Sequence, residues 1–186
     1  MFAILSHLCR NIFFMDRVEV ILVDKDDNVI GNMEKMEAHR KGVLHRAFSV
    51  FIFNDKNQLI LQQRALHKYH SPGLWSNTCC SHPYPGEEVE DAAHRRLLEE
   101  MGFDCGIREV FSFIYKTNLD QDMTEHELDH VLIGNYQEEP ILNPEEVADW
   151  KWIDIDELVN EMEKHPEQYT VWFRIIFKEF RNKLAY

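Results

Sequence analysis

The sequence predicts an α+β domain, a layered α/β arrangement in which one mixed sheet is covered by helices. Three observations lead there. Short β-branched runs bounded by turn residues occupy both halves of the chain, one long helical segment ending in glycine separates them, and two more helical segments close the chain. In order, Val18 to Val23 stops at Asp24-Lys25-Asp26-Asp27-Asn28 and reads as strand then turn, with Val29 to Met33 a second strand. Ala47 to Phe53 and Leu59 to Gln63 flank Asn54-Asp55-Lys56-Asn57, a set of turn-favouring residues, so the pair reads as a hairpin. Leu66 to Gly86 reads as a long irregular stretch, and loops of that length inside a compact domain are usually functional.

Glu87 to Met101 reads as a helix with Gly102 as its C-cap. At about 100° per residue, Glu88, Asp91, Arg95 and Glu99 gather as a charged ladder opposite a stripe of Val89, Ala93 and Leu97, while Leu98 fits neither side. Arg96 and Glu100 fall within the apolar stripe, where a core-facing helix should carry no charge. Two readings follow: an internal ion pair at i,i+4, or a carboxylate held inward for a metal. Downstream, Val110 to Lys116, Leu128 to Tyr136 and Trp150 to Ile153 read as strands. Asp154 to Glu163 and Pro166 to Phe180 read as helices, the first opening on a capping Asp.

With 186 residues and 45% hydrophobic content, the chain suits one domain. Residues 16–186 are expected to form it. Residues 1–15 are expected to be an N-terminal extension or a misassigned start: Phe2-Ala3-Ile4-Leu5 is apolar, His7 and Arg10 interrupt it, no cleavage site follows, and Met15 offers an alternative start. The balance of 33 acidic against 20 basic residues gives a net charge of −13, which argues against nucleic acid or an anionic membrane as partner. If the ligand is itself an anion, divalent metal and a few well-placed bases must overcome that field. Cys9, Cys79, Cys80 and Cys105 do not resemble a disulfide framework and fit a reducing cytoplasm. The expected assembly is a monomer or weak dimer.

The chemistry concentrates in three places. Asn77-Thr78-Cys79-Cys80-Ser81-His82-Pro83 sets a thiol two residues before an imidazole, a spacing that suits a metal or catalytic site, against the plainer reading of a buried Cys beside a surface His. In Glu125-His126-Glu127, at the start of a strand, the period of two puts both carboxylates on one face, a costly pairing unless a positive charge lies between them. His39, His45 and His82 are further ligands of suitable type, and three imidazoles with two carboxylates would suit zinc or manganese. Taken singly, each of the ten histidines reads as a surface residue.

Leu44-His45-Arg46-Ala47-Phe48-Ser49, Arg64-Ala65-Leu66, Pro72-Gly73-Leu74-Trp75-Ser76-Asn77, Cys80-Ser81-His82-Pro83 and Glu125-His126-Glu127 together resemble, in order, the type I isopentenyl-diphosphate Δ-isomerases, over Val18 to Trp172. The resemblance implies a Nudix-like mixed β-sheet sandwiched by helices. Aligned on Gly102, the Nudix box G-x5-E-x7-R-E-x2-E-E-x-G finds Glu87, Arg95, Glu99 and Glu100 in register, but Ser81 replaces its leading Gly and Arg96 its first helical Glu. The hydrolytic equipment is therefore broken, and a base in place of that Glu suits holding a diphosphate rather than cutting it.

The implied activity is interconversion of isopentenyl and dimethylallyl diphosphate through a tertiary carbocation, in isoprenoid biosynthesis. By the same resemblance, Glu127, supported by Tyr115, exchanges a proton on one face of the substrate and Cys80 on the other, and Trp172 covers the cation. Cys80 is chosen over Cys79 for its offset to His82. His39, His45, His82, Glu125 and Glu127 would hold Mn2+ or Zn2+, Glu100 and the Cys80 backbone carbonyl would hold Mg2+, and Lys35, Arg64, Lys68 and Arg96 would contact the diphosphate. The partner is thus a small isoprenoid diphosphate. A Nudix-type diphosphate hydrolase and a non-catalytic metal-binding interaction domain are the competing readings.

Overall fold

The computed structural model describes residues 18–119 and 122–184; the expectations for residues 1–15 lie outside them. Strands β1 (Glu19–Val23) and β2 (Val29–Glu34) form an antiparallel pair, and α1 (Lys35–Lys41) follows directly. This helix was not anticipated. The Glu34 carboxylate caps it by accepting from the backbone N–H groups of Met36 and Glu37, both at 2.9 Å, and Gly42 ends it at φ 58°, a left-handed conformation that glycine adopts without a Cβ penalty. That turn sends the chain into β3 (His45–Phe53), so two histidines six positions apart converge.

The β3 strand is buried along its length and organises the sheet. One edge runs parallel to β8 (Thr124–Asn135), from His45 opposite Glu127 to Phe53 opposite Asn135. The other edge is shared in turn by β1 at His45, β6 (Cys79–Ser81) at Phe48 to Val50, and β4 (Gln58–Arg64) at Phe53. The expected β3–β4 hairpin is therefore paired only next to its turn, at Phe53 and Leu59. Beyond it the strands splay, β4 taking β9 (Val147–Asp154) and β5 (Trp75–Ser76) as neighbours. Side chains fill the wedge. Thr78 Oγ1 accepts from the Ile52 amide at 3.0 Å and donates to the Ile60 carbonyl at 2.8 Å, and Asn77 Nδ2 donates to the carbonyls of Val50 and Cys79. Backbone groups that would otherwise lie buried and unpaired are thus satisfied.

The expected irregular stretch Leu66 to Gly86 consequently contains β5 and β6, short strands specified by tertiary pairing. β7 (Ile107–Asn118) pairs antiparallel with β8. The sheet lies between two helical layers. Phe48, Val50, Ile52, Ile60 and Leu132 pack on Ala92, Ala93, Leu97 and Met101 of α2 (Val89–Met101), which ends at Gly102 as expected. Phe51, Phe53, Leu61 and Ile133 pack on Leu158 of α3 (Ile155–Lys164) and on Phe173, Ile176 and Phe177 of α4 (Val171–Phe180). Each fully buried Leu or Phe contributes about 1.5–3 kcal/mol of transfer free energy. Asp154 occupies the cap position of α3, but its side chain makes no cap hydrogen bond and Gln58 Nε2 donates to it instead.

The helix expected over Pro166 to Phe180 is broken. Pro166–Gln168 is a 3-10 turn, and the chain is extended at Tyr169 and Thr170, where the Thr170 amide donates to the Trp75 carbonyl at 2.9 Å. This bond to β5 directs the first turn of α4, with Trp172, over the open end of the sheet. Among the described residues no helix is long and apolar enough to cross a membrane.

Candidate active site

One cavity at the splayed end of the sheet is lined by Lys35, Arg64, Lys68, Cys80, His82, Arg96, Glu100, Tyr115, Glu125, Glu127 and Trp172. Of the residues expected at a site, only His39 and His45 are absent from this lining; both are fully buried behind it.

On β8 the period of two puts Glu125, Glu127 and Asp129 on one buried face. Against it stand the histidines. Nδ1 of His39 lies 2.7 Å from the Lys35 carbonyl and Nδ1 of His45 lies 2.9 Å from the Val43 carbonyl. A carbonyl can only accept, so each Nδ1 carries the proton and each Nε2 presents a lone pair. Nε2 of His45 and of His82 are 3.2 Å apart, and the latter is 2.9 Å from Glu127 Oε1. One donor atom from each of His39, His45, His82 and Glu127 lies within 4.8 Å of the others. Lone pairs at such spacing repel unless a cation lies among them, so these residues fit a divalent metal. Imidazoles with a carboxylate are the set that zinc or manganese takes.

Glu125 stands just outside this quartet, its Oε2 3.1 Å from His39 Nε2. Both atoms are buried without a hydrogen-bond partner. Burial and the neighbouring Glu127 raise the Glu125 carboxyl above its ordinary range. Burial works the same way on Glu127, but the neighbouring His45 and His82 rings outweigh it and hold that carboxyl well below its ordinary range. Its other oxygen accepts from the Tyr115 phenol at 2.6 Å, directly across the β7–β8 ladder. Burial presses the His39 imidazole down, and the Glu125 carboxylate more than restores it. For His82 burial prevails, with Lys35 adding repulsion, and brings the ring down to about 3.

Cys80 lies on β6 opposite Ser49 and faces the cavity, its thiol pushed up to about 12 by burial. Cys79 points the other way, fully buried against α2. Trp172 is anchored by its indole N–H, which donates to Ser76 Oγ at 3.0 Å. Ser76 in turn donates to Asn77 Oδ1. Arg64 stacks 5.3 Å over the indole, its Nη2 donates to the His70 carbonyl at 3.2 Å, and its buried Nε has no protein partner.

The Arg96–Glu100 pair is the internal ion pair that the sequence left as one of two readings, at 2.5 Å, with Gln62 donating to the second Glu100 oxygen at 2.9 Å. Glu100 is 4% exposed and reaches the cavity all the same. Arg95 makes a bidentate pair with Glu87 at 2.7 and 2.8 Å, which ties the loop before α2 to the helix.

Sequence reasoning missed Gln62, His70 and Glu146 in the cavity and Asp129 beside it. Gln62 was marked by being polar in an apolar strand, and Asp129 by continuing the period of Glu125 and Glu127. Asp129 accepts from Ser49 Oγ at 2.9 Å, and burial with the neighbouring Glu127 raises its carboxyl well above the ordinary range. His70, brought down to about 2 by burial and by Arg64, packs edge-on against Trp172. Glu146, which pairs with Lys68 and Arg96, carried no pattern that could have found it.

Residues 43–173 match the NUDIX domain family. The chain is 55% identical to isopentenyl-diphosphate Delta-isomerase 2 of Aromatoleum aromaticum, over 83% of this chain and 82% of that one. It is 54% identical to isopentenyl-diphosphate Delta-isomerase of Pectobacterium atrosepticum, over 88% and 91%. Its fold is similar to the crystal structure of DR0079 from Deinococcus radiodurans, with a TM-score of 0.72 at 20% identity over 88% of this chain and 99% of that one. A MutT NUDIX hydrolase from Burkholderia pseudomallei shares the fold with a TM-score of 0.58 at 19% identity, over 74% and 98%.

Proposed function

Because the chain belongs to the isopentenyl-diphosphate Delta-isomerases, on a Nudix fold, we propose that Glu127 and Cys80 exchange the two protons that interconvert isopentenyl and dimethylallyl diphosphate. The observation that carries this reading is the placement of a carboxyl, Glu127, held by the Tyr115 hydroxyl at 2.6 Å, and a thiol, Cys80, in the lining of one cavity with Trp172. Burial keeps Cys80 a thiol, and the reaction needs two proton-exchanging groups. One proton is added to the terminal alkene carbon, one is taken from the carbon on the far side of the resulting cation, and no electrons are exchanged.

An alkene is a very weak base, so the proton must come from a strong acid and the cation must be kept from water. Glu127, with Tyr115 donating to it, serves one face of the substrate and Cys80 the other. Trp172 turns its π face toward the cation, a contact worth about 2 kcal/mol when desolvated. Its anchor on Ser76 holds the indole in place.

His39, His45, His82 and Glu127, with Glu125 beside His39, would hold a zinc or manganese ion. Glu100 and the Cys80 carbonyl would hold magnesium. Such cations favour ionised carboxylates, which makes the conjugate acid of Glu127 strong. Arg64, Lys68, Arg96 and Lys35 would bind the diphosphate, and residues 16–186 would act as one domain.

Incubation with isopentenyl diphosphate and magnesium in deuterated water tests the reading. Dimethylallyl diphosphate carrying carbon-bound deuterium is the expected product. Release of phosphate without isomerisation would sink it in favour of hydrolysis, although Arg96 and Ser81 break the hydrolytic box.

A further inference from the structure

Two of the cations expected to bind the diphosphate are already matched by a carboxylate. Lys68 Nζ pairs with Glu146 Oε2, and Arg96 Nη2 lies 3.2 Å from that same oxygen. Arg64 differs, with its buried Nε unpartnered. One carboxylate oxygen thus sits between two cations from distant parts of the chain. Its backbone is fixed as well. The Glu146 carbonyl accepts from the Ala65 amide at 3.0 Å, its own amide donates to the Asn143 carbonyl at 2.9 Å, and the Asn143 amide donates to the Glu100 carbonyl at 3.0 Å. The turn therefore joins the end of β4, which carries Arg64, to the last turn of α2.

Position adds a second argument. The inner cavity containing Cys80, Glu127 and Trp172 and an outer one lined by Val18, Met36 and Tyr84 are both walled by Lys68, Arg96 and Glu146. A ligand passing from the outer cavity to the inner one meets this ion triad.

We propose that Glu146 is a specificity-determining positioning residue, which occupies the anion seat between Lys68 and Arg96 and yields it only to a diphosphate. This rests on the functional reading above. Arg96 keeps its ion pairs with Glu99 and Glu100 whatever occupies the seat, but in a protein of net charge −13 Lys68 without Glu146, with the Arg96 Nη2 edge beside it, would collect any phosphate or carboxylate. With Glu146 in the seat, a ligand must replace a pre-positioned carboxylate on both cations at once. A diphosphate has the charge and the span to do so while still reaching Arg64, whereas a monophosphate ester satisfies one partner and leaves the other to Glu146.

The test is steady-state kinetics with isopentenyl diphosphate, with inhibition constants for inorganic diphosphate and for the monophosphate ester of the same alcohol. Glu146→Gln is expected to lower both constants, the monophosphate's more, narrowing the discrimination about threefold to tenfold, with kcat within about twofold of wild type. Glu146→Asp, which keeps the charge, is expected to restore discrimination toward the wild-type ratio. A raised or unchanged monophosphate constant in Glu146→Gln would overturn the proposal. If that variant does not fold, a crystal structure of the wild type with inorganic diphosphate decides: Lys68 Nζ is expected on a phosphate oxygen, and finding it still on Glu146 with the ligand bound overturns the proposal. Wild-type protein that fails to isomerise isopentenyl diphosphate would instead refute the functional reading.

Discussion

The Tyr115 hydroxyl and the Glu127 carboxylate face each other across the β7–β8 ladder, 2.6 Å apart and buried. In Tyr115→Phe the ring packing persists and only the donor is lost. A hydrogen bond to a charged group contributes about 1.5–3 kcal/mol. Turnover is therefore expected to fall about tenfold to a hundredfold with little change in KM, and a fall in KM alone would contradict the role.

The adjacent thiols separate cleanly. Cys80→Ala should lose about a hundredfold to ten-thousandfold in kcat, the range for a positioned proton-transfer group. Cys79→Ala should keep its turnover and lose about 1 kcal/mol of stability, because that sulfur fills space against Ala92, Ala93 and Leu97. Near-normal turnover by Cys80→Ala would refute the two-face proton exchange.

Acid should destabilise the fold from near neutrality downward. Burial lowers His70 to about 2 and His82 to about 3, from 6.5. Between those values the unfolded chain binds protons that the folded one refuses, so their stabilisation is complete above pH 6.5 and is lost as pH falls. Glu127, also lowered, adds loss below about its ordinary 4.5. Each ring can cost at most about 1.4 kcal/mol per pH unit. Urea midpoints from pH 7.5 to 5 should decline, and His70→Asn should decline less steeply. His39 is raised and has the opposite sign, losing its contribution as pH rises through its folded value.

Chelation should lower the thermal midpoint, and added Zn2+ or Mn2+ should restore it. At a hundredfold excess over Kd the gain is about 2.7 kcal/mol. Glu125→Gln, which removes the neighbour of His39, should weaken binding about tenfold to a hundredfold. His45→Ala should weaken it further. An unchanged midpoint with either ion would exclude the quartet as a metal site.

Strands and the α2 helix were legible because their signals are local: β-branched runs stopped by Asp and Asn, and an apolar stripe closed by Gly102. The inward Arg96 and Glu100 were legible for the same reason, as charges out of phase. Pairing was not. β3 looked like one half of a hairpin with β4, yet its partner is β8 in parallel, a choice decided by burial on both faces. The break at Tyr169 and Thr170 arises from a bond to Trp75, which no helix propensity reports. Helix α1 did carry a signal, the basic last turn His39-Arg40-Lys41 before Gly42, hidden between strand-like flanks. Site residues with a pattern, Glu125, Glu127 and Cys80, stood out, whereas Glu146 lies in a turn where only the tertiary structure gives a charge its meaning.

The parallel pairing of β3 with β8 also bears on how the protein is made. His39, His45 and His82 leave the ribosome well before Glu127. A nascent or truncated chain thus holds imidazoles without the strand that aligns them. Because long-range parallel pairing forms late, an ion held by this quartet would report that β3 and β8 have come together, and its release rate could serve as an assay of native assembly.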